Sequence, residues 1–408
     1  MVAGKDLVTK LTGGETVGLA TRRLSMILLG DFGGLLGAIG WYVVPFAVIV
    51  SVVVFFHELG HYLVGRWCGV QIDTFSLGVG PELYARVDSH GTRWRLAALP
   101  LGGYVKFHGD ANVASAPHNE GVRRMPEAER RRTLAGQPVL NRAMIVAAGP
   151  IANFILAIVI FTASFAIMGQ YTLSARIGSV LAGTPAAEAG IKPGDVILAV
   201  NGEKIDRFED LRRITTMSTG LPLTFDIERG GERLSLEATP RIALTDMGPF
   251  GKRRVGRLGI GSSPDPADRR HEYCGLPTCF VWGLRETWGV VATTGAYLQG
   301  LVAGRESADQ ISGTIGVIQV AGEVAKISIV ALVSLTALFS VSVGLMNLFP
   351  IPMLDGGHLM FYAIEALRGR PLSDKAQEIG LRVGIAIVAA LVLFSASNDI
   401  LHLFASRS

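Results

Sequence analysis

Apolar positions along the chain gather in long stretches that carry no charge. None of Asp, Glu, Lys or Arg occurs from Phe32 to Phe56, from Ala143 to Ala175, or from Ile327 to Leu354. Each run is longer than the roughly 20 residues a helix needs to cross a bilayer. A shorter fourth run, Val383 to Asn398, continues past Asp399 through Ile400, Leu401, His402, Leu403 and Phe404. The pattern predicts a polytopic α-helical membrane protein with about four transmembrane helices. No small-residue cleavage site follows a short apolar core, so no cleavable signal peptide is expected.

Between the second and third runs the hydrophobic period changes. Short Val, Ile and Leu runs alternate with Gly and Asn turns from Ser174 to about Ser262. Ile197-Leu198-Ala199-Val200 before Asn201-Gly202 reads as a strand entering a tight turn. Asp206 to Ile214 reads as a short helix, and Leu223–Ile227 and Arg233–Leu236 as further strands. The polar, Pro-containing stretch from Pro264 to Arg270 reads as a linker. The expected order is then a tail of uncertain status (1–31), span one (32–67), a loop with a membrane-associated β element (68–142) and span two (143–170). An inserted β-rich domain (171–263), a linker with an amphipathic segment (264–326), span three (327–358), a loop (359–380) and span four (381–405) follow.

Composition agrees with a membrane chain. Hydrophobic residues make up 49% and charged residues 18%, against roughly 25% charged in soluble domains. Mean hydropathy is +0.40. Three cysteines exclude a disulfide-rich scaffold. A net charge of +4 gives no reason to expect nucleic acid. Residues 67–143 carry Arg86, Arg93, Arg95, Lys106, Arg123, Arg124, Arg130, Arg131, Arg132 and Arg142, so that loop should be cytoplasmic. The β-rich domain and both termini then lie on the far side. Lys5, Lys10, Arg22 and Arg23 oppose this placement, unless translation starts at Met26 rather than Met1.

The end of span one reads His57-Glu58-Leu59-Gly60-His61. Two His at i and i+4 share one helical face and can reach one Zn²⁺. The Glu between them can take a proton from the attacking water. A third ligand is required, and Asp355 is the best candidate among charges flanking an apolar run. Spans one and three run in the same direction, so their C-terminal ends share a membrane face. Pro350 and Pro352 break the helix there, and Gly356-Gly357 lets backbone approach closely. Cys274 and Cys279 lie near each other in the chain, as a disulfide or as two thiols.

These motifs carry a resemblance. His57-Glu58-Leu59-Gly60-His61, with Asn347-Leu348-Phe349-Pro350-Ile351-Pro352-Met353-Leu354-Asp355-Gly356-Gly357, resembles the site-2 protease family of intramembrane zinc metalloproteases. Phe75–Pro81, Leu101–Lys106 and Gly149-Pro150-Ile151-Ala152-Asn153 match further elements of it. Gly183–Ala187, Ala189–Asp195 and Asn201-Gly202 resemble the turn pattern of a PDZ domain. Together they resemble the bacterial regulator of sigma-E protease branch over roughly residues 41 to 405. Relatives often carry two PDZ domains, and this chain has one.

The resemblance implies roles. His57, His61 and Asp355 would hold zinc, and Glu58 would be general base and then proton donor to the leaving amine. Asn347 would clamp the reacting carbonyl or anchor the broken helix, and Asn153 is a second clamp candidate. His358 is read as structural. Leu96–Phe107 would be an edge strand or an interfacial hairpin, with Gly102, Gly103 and Tyr104 as substrate-strand contacts. At the PDZ-like domain, Ala175–Val180 would be the peptide edge, with Ile177, Gly178 and Val180 contacting peptide C-termini, unless the domain excludes large ectodomains by size. Substrates would be single-span membrane proteins cut in or near the transmembrane segment, such as a trimmed anti-sigma factor or a signal-peptide remnant. The expected location is the bacterial inner membrane, with the active site near the cytoplasmic face and the PDZ-like domain periplasmic. A membrane scaffold with an inactive peptidase site is the alternative, which the intact Glu58 opposes.

Overall fold

A computed structural model describes Gly37 and residues 39–110, 125–246, 252–304 and 313–405. The tail 1–31, both candidate starts, and Arg123 and Arg124 lie outside the described residues. Four helices among those described are long and apolar enough to cross a membrane: Ile39–Trp67, Val139–Met168, Ile329–Asn347 and Lys375–Ile400. They correspond to the four charge-free runs.

A π-helical turn, Ile39–Val43, leads into helix α1, Val44–Trp67. Strands β1, Ile72–Val87, and β2, Arg93–Phe107, form an antiparallel hairpin that folds back on itself. Phe75 pairs with Trp94 on one side and with Val105 on the other. The start of β1 is therefore interior, and the end of β2 is an outer edge. Asp88 at the hairpin tip accepts from Trp94 Nε1 at 3.0 Å, Tyr62 Oη at 3.1 Å, and the backbone N–H of His90 and Thr92. Burial would raise the Asp88 carboxyl, but these four donors outweigh it and hold it at about 2. The sheet is thereby fastened to α1 through Tyr62. Phe75, stacked on Trp94 at 4.3 Å, fills the space between them.

After the short helix α2, Glu127–Arg130, comes the long helix α3, Val139–Met168. The soluble domain then starts with β3, Gln170–Leu173, β4, Ile177–Val180, and α4, Pro185–Glu188. Strands β5, Val196–Val200, and β6, Glu203–Lys204, precede helix α5, Phe208–Met217. Strands β7, Leu223–Arg229, β8, Glu232–Ala238, β9, Arg241–Asp246, β10, Lys252–Arg257, and β11, Ile260–Ser262, complete it. Strand order is β6-β5-β7-β8 in the main sheet, with β11 on β4 and a β9–β10 hairpin. Ile177, Ile197, Leu211, Phe225 and Ile227 make the core. Alternation along β7 puts Leu223, Phe225 and Ile227 inside. Asp195 is buried and held by Arg229 at 2.7 and 2.8 Å and by the N–H of Lys192.

Pro264–Arg270 does not run as a bare linker. Asp265 caps a 3-10 turn, and Asp268 binds Ser174 and Arg176. Strand β12, Arg269–Glu272, then pairs with β3. Helix α6, Leu276–Val302, follows, with Cys274 and Cys279 joined in a disulfide at its start. Helices α7, Thr314–Ile327, α8, Ile329–Asn347, α9, Asp355–Arg368, and α10, Asp374–Ala405, end the chain. Arg142 on α3 makes a two-pronged ion pair with Glu365 on α9, at 2.6 and 3.1 Å, sheltered from solvent.

Burial would raise the Asp195 carboxyl, but the Arg229 and Lys192 bonds hold it below the usual carboxylate range. Its contribution is present above the ordinary Asp value, about 3.9, and is lost as pH falls through the lowered one. Asp195→Asn should therefore cost about 2 kcal/mol of domain stability at neutral pH, Arg229 being partly exposed. The difference between wild type and variant in thermal melts should shrink as pH drops below about 4.

Candidate metal centre

Three side chains from two elements converge. His57 and His61 lie one turn apart on α1, and Asp355 opens α9. The Nε2 atoms of the two histidines are 3.2 Å apart. Asp355 Oδ2 is 3.1 Å from His57 Nε2, and Oδ1 is 3.6 Å from His61 Nε2. One ligand atom from each residue lies within 4.8 Å of the others, and this is the group of His, Cys, Asp or Glu among the described residues that could hold a metal ion.

The histidines are set by bonds to their other ring nitrogens. His61 Nδ1–H donates to the carbonyl of Ile145 at 2.9 Å, leaving the Nε2 lone pair free. His57 Nδ1 lies 3.2 Å from the amide of Asn153. Asn153 Oδ1 is buried with no partner. Turning that amide puts Oδ1 on His57 Nδ1–H, which satisfies both groups and frees His57 Nε2. Asp355 Oδ2 is likewise buried without a hydrogen bond. Two imidazole lone pairs and an orphaned carboxylate oxygen aimed at one point suit zinc, with room for a fourth ligand.

Glycine makes this convergence possible. A Cβ on Gly60 would fall 2.3 Å from the carbonyl oxygen of Ala148, so α1 and α3 touch backbone to backbone. A Cβ on Gly149 would fall 2.3 Å from His61 Nε2. Asp355 arrives by a tight turn after α8. Met353 there has a φ of 117°, a strained value for a residue with a side chain. Added Cβ atoms on Gly356 and Gly357 would lie 2.3 and 2.4 Å from the carbonyls of Leu348 and Ile351. At the N-terminus of α9 the helix dipole favours the Asp355 carboxylate.

Glu58, between the two histidines on α1, lies beside the end of β2. A Cβ on Gly103 would lie 3.3 Å from Glu58 Cγ and 2.7 Å from the Ser76 carbonyl oxygen. Among the described residues, Gly103, Tyr104 and Val105 pair with Leu77, Ser76 and Phe75 on one side only. Tyr104 Oη accepts from Arg95 at 3.1 Å. A free strand edge thus runs past the carboxylate beside the metal ligands.

Other expected residues fall elsewhere. Asn153 is fully buried. Its side chain meets His57, and its carbonyl accepts from Ser340 at 2.8 Å. Asn347 Nδ2 donates to the Val343 carbonyl of its own helix at 3.0 Å. Ile177 exchanges bonds with Asp195 and Gly194 on one side, while β11 pairs with Ile177–Val180 on the other. A Cβ on Gly178 would lie 2.3 Å from the Ser262 carbonyl oxygen. Among the described residues, the outer strand of that pair is β11. Gly149 and the Ile145 carbonyl had no assigned role in the sequence, although Gly149-Pro150 inside a charge-free run signals backbone contact.

A metal-binding triad at the ends of apolar spans, with a glutamate alongside, defines a membrane metallopeptidase. The chain belongs to peptidase family M50, whose model matches residues 45–391. It is a zinc metalloprotease of that type. It is 47% identical to "Putative zinc metalloprotease Atu1380" of Agrobacterium fabrum over 89% of this chain and 97% of that protein. It is 41% identical to "Metalloprotease MmpA" of Caulobacter vibrioides, over 86% of this chain and 93% of that one. Among solved structures, a PDZ domain of an SdrC-like protein from Listeria monocytogenes aligns at TM-score 0.18 and 19% identity. That alignment covers 22% of this chain and 86% of that one.

Two substitutions separate the parts of the site. Gly149→Ala should leave helix content intact, yet the protein should purify with little metal by elemental analysis. Asn153→Ala should weaken metal affinity by about 10- to 100-fold in a chelator competition.

Proposed function

We propose that the chain is an intramembrane zinc endopeptidase that cuts single-span membrane proteins within or near the transmembrane segment. The observation that carries this reading is the free edge Gly103–Val105 beside Glu58, at the end of spans that hold His57, His61 and Asp355. A transmembrane helix has its carbonyls bonded internally and must unwind before cleavage. An unwound segment added to that edge would lie extended next to Glu58.

Zinc held by His57, His61 and Asp355 would supply Lewis acidity at the scissile carbonyl. Glu58 takes a proton from the attacking water and delivers it to the leaving amine. Asn153 and the Ile145 carbonyl keep both imidazoles oriented. Gly102, Gly103 and Tyr104 present the edge, and Gly103 lets it run close to Glu58.

The proposed setting is a bacterial inner membrane, with the metal centre near the cytoplasmic face and the PDZ-like domain in the periplasm. The Cys274–Cys279 disulfide supports this orientation, since such bonds persist in oxidising compartments. The proposed substrates are membrane proteins already trimmed outside, an anti-sigma factor or a signal-peptide remnant among them. At the PDZ-like domain, peptide C-termini would add to β11 rather than β4.

Glu58→Gln should keep its metal and lose about 10²- to 10⁴-fold in cleavage of truncated single-span substrates in detergent. Zinc chelation should abolish wild-type cleavage. Equal rates from Glu58→Gln and wild type would overturn the assignment of Glu58.

A further inference from the structure

Strand β2 has two faces near its end. Gly103, Val105 and Phe107 turn toward α1. A Cβ on Gly103 would lie 2.8 Å from Val54 Cγ1 and 3.3 Å from Glu58 Cγ, and Val105 and Phe107 are buried in one cluster with Tyr62. By alternation, Tyr104 and Lys106 turn the other way. Ser76 pairs with Tyr104 on one side and with Arg95 on the other, and Thr74 pairs likewise with Lys106 and Arg93. Residues opposite each other in a sheet share a face, so Arg93, Arg95, Tyr104 and Lys106 stand on the side away from Glu58.

Three of these four are cations, and they differ in what neutralises them. Arg93 Nη2 donates to Glu82 at 2.7 Å. Among the described residues, no carboxylate lies within ion-pair reach of Arg95 or Lys106. Arg95 reaches across the buried Ser76 instead. Its Nη1 donates to Tyr104 Oη at 3.1 Å and its Nη2 to the Gly80 carbonyl at 2.8 Å, while its Nε is buried with no partner. A sheltered cation without a counter-charge is favoured when an anion approaches. Tyr104 Oη already accepts from that cation, so its own O–H serves as a donor.

Tyr104 and Lys106 rise from the edge strand itself. A strand added there would set its side chains beside theirs, at the roughly 5 Å spacing of cross-strand pairs. We infer that this face is a specificity subsite, which selects substrates with an aspartate or glutamate close to the cut. The inference rests on the reading of Gly103–Val105 as the substrate edge. A substrate residue beside Gly103 turns toward Glu58, where an acidic side chain meets a like charge. The next residue turns toward the Tyr104 hydroxyl, backed by Arg95, and the one two further on toward the Lys106 ammonium. Acidic side chains are held at those two positions and lysine is repelled. Charge is thus read with the two-residue period of a strand.

The test uses the purified full chain and a truncated single-span substrate whose cut is mapped by mass spectrometry. Aspartate, asparagine or lysine is placed singly at successive positions around the cut. The readout is kcat/KM for the aspartate substrate over that for the lysine substrate, on one enzyme preparation, so that losses of folded protein cancel. Wild type should favour aspartate about tenfold, the scale of one charge-assisted hydrogen bond, at alternate positions only, with asparagine between. Arg95→Glu should invert the preference at the position beside Tyr104, and Lys106→Glu at the position two further on. If Arg95→Glu does not accumulate, Arg95→Gln should bring the ratio there close to one.

A wild-type ratio near one at every position would overturn the inference and leave the endopeptidase reading standing. Absence of any cleavage by wild type would remove that reading and the subsite together. A preference that neither charge reversal moves would place selection elsewhere and overturn the inference. The series is repeated in nanodiscs with and without anionic lipid. Variants that lose rate equally on all substrates, and only with anionic lipid, would assign both cations to lipid headgroups and overturn it as well.

Discussion

The metal centre depends on two helices touching without side chains between them. Gly60 on α1 meets the Ala148 carbonyl, and Gly149 on α3 leaves space for the His61 ring. Dispersion between closely packed backbones is what holds membrane helices together, since lipid offers no hydrophobic drive for association. Here the same contact sets chemistry. With α3 this close, the Ile145 carbonyl reaches His61 and Asn153 reaches His57. Moving α3 outward by one methyl group would break both bonds and misdirect both lone pairs.

The third ligand comes from a different kind of constraint. Asp355 is not on a continuous span but follows a broken turn with two prolines and a strained Met353, and two glycines come directly after it. Irregular backbone at this depth is tolerated where protein buries it. The α3–α9 ion pair of Arg142 with Glu365 fixes the helix that Asp355 begins. The site therefore joins a rigid helix pair to a separately anchored turn. The hairpin brings the last component, the β2 edge, and is fastened to the same helix α1 by Tyr62 and Asp88.

The spans were legible in the sequence because charge exclusion is a one-dimensional property. The triad was legible because His57 and His61 follow helical spacing and Asp355 follows a recognisable break. The contact of Asn153 with His57 was not legible, because a sequence does not reveal which way a buried amide faces. The pairing of Ile177–Val180 with β11 was not legible for a similar reason. Strand pairing is a long-range property, and an apolar run does not say which of its edges is occupied. Pro264–Arg270 read as linker because its structure depends on Asp268 reaching back to Ser174 and Arg176, far away in the chain.

Helix α10 has the least protein around it of the four spans. Yet Gly384 on it presses against the Pro352 carbonyl so closely that an added methyl would overlap that oxygen, and Gly380 rests on Phe361. The helix most surrounded by lipid thus leans on the turn that delivers Asp355. Transmembrane helices adjust their tilt to bilayer thickness. A change of tilt in α10 would bear on Pro352 before any other part of the centre, which ties the geometry of a metal ligand to the mechanical state of the surrounding bilayer.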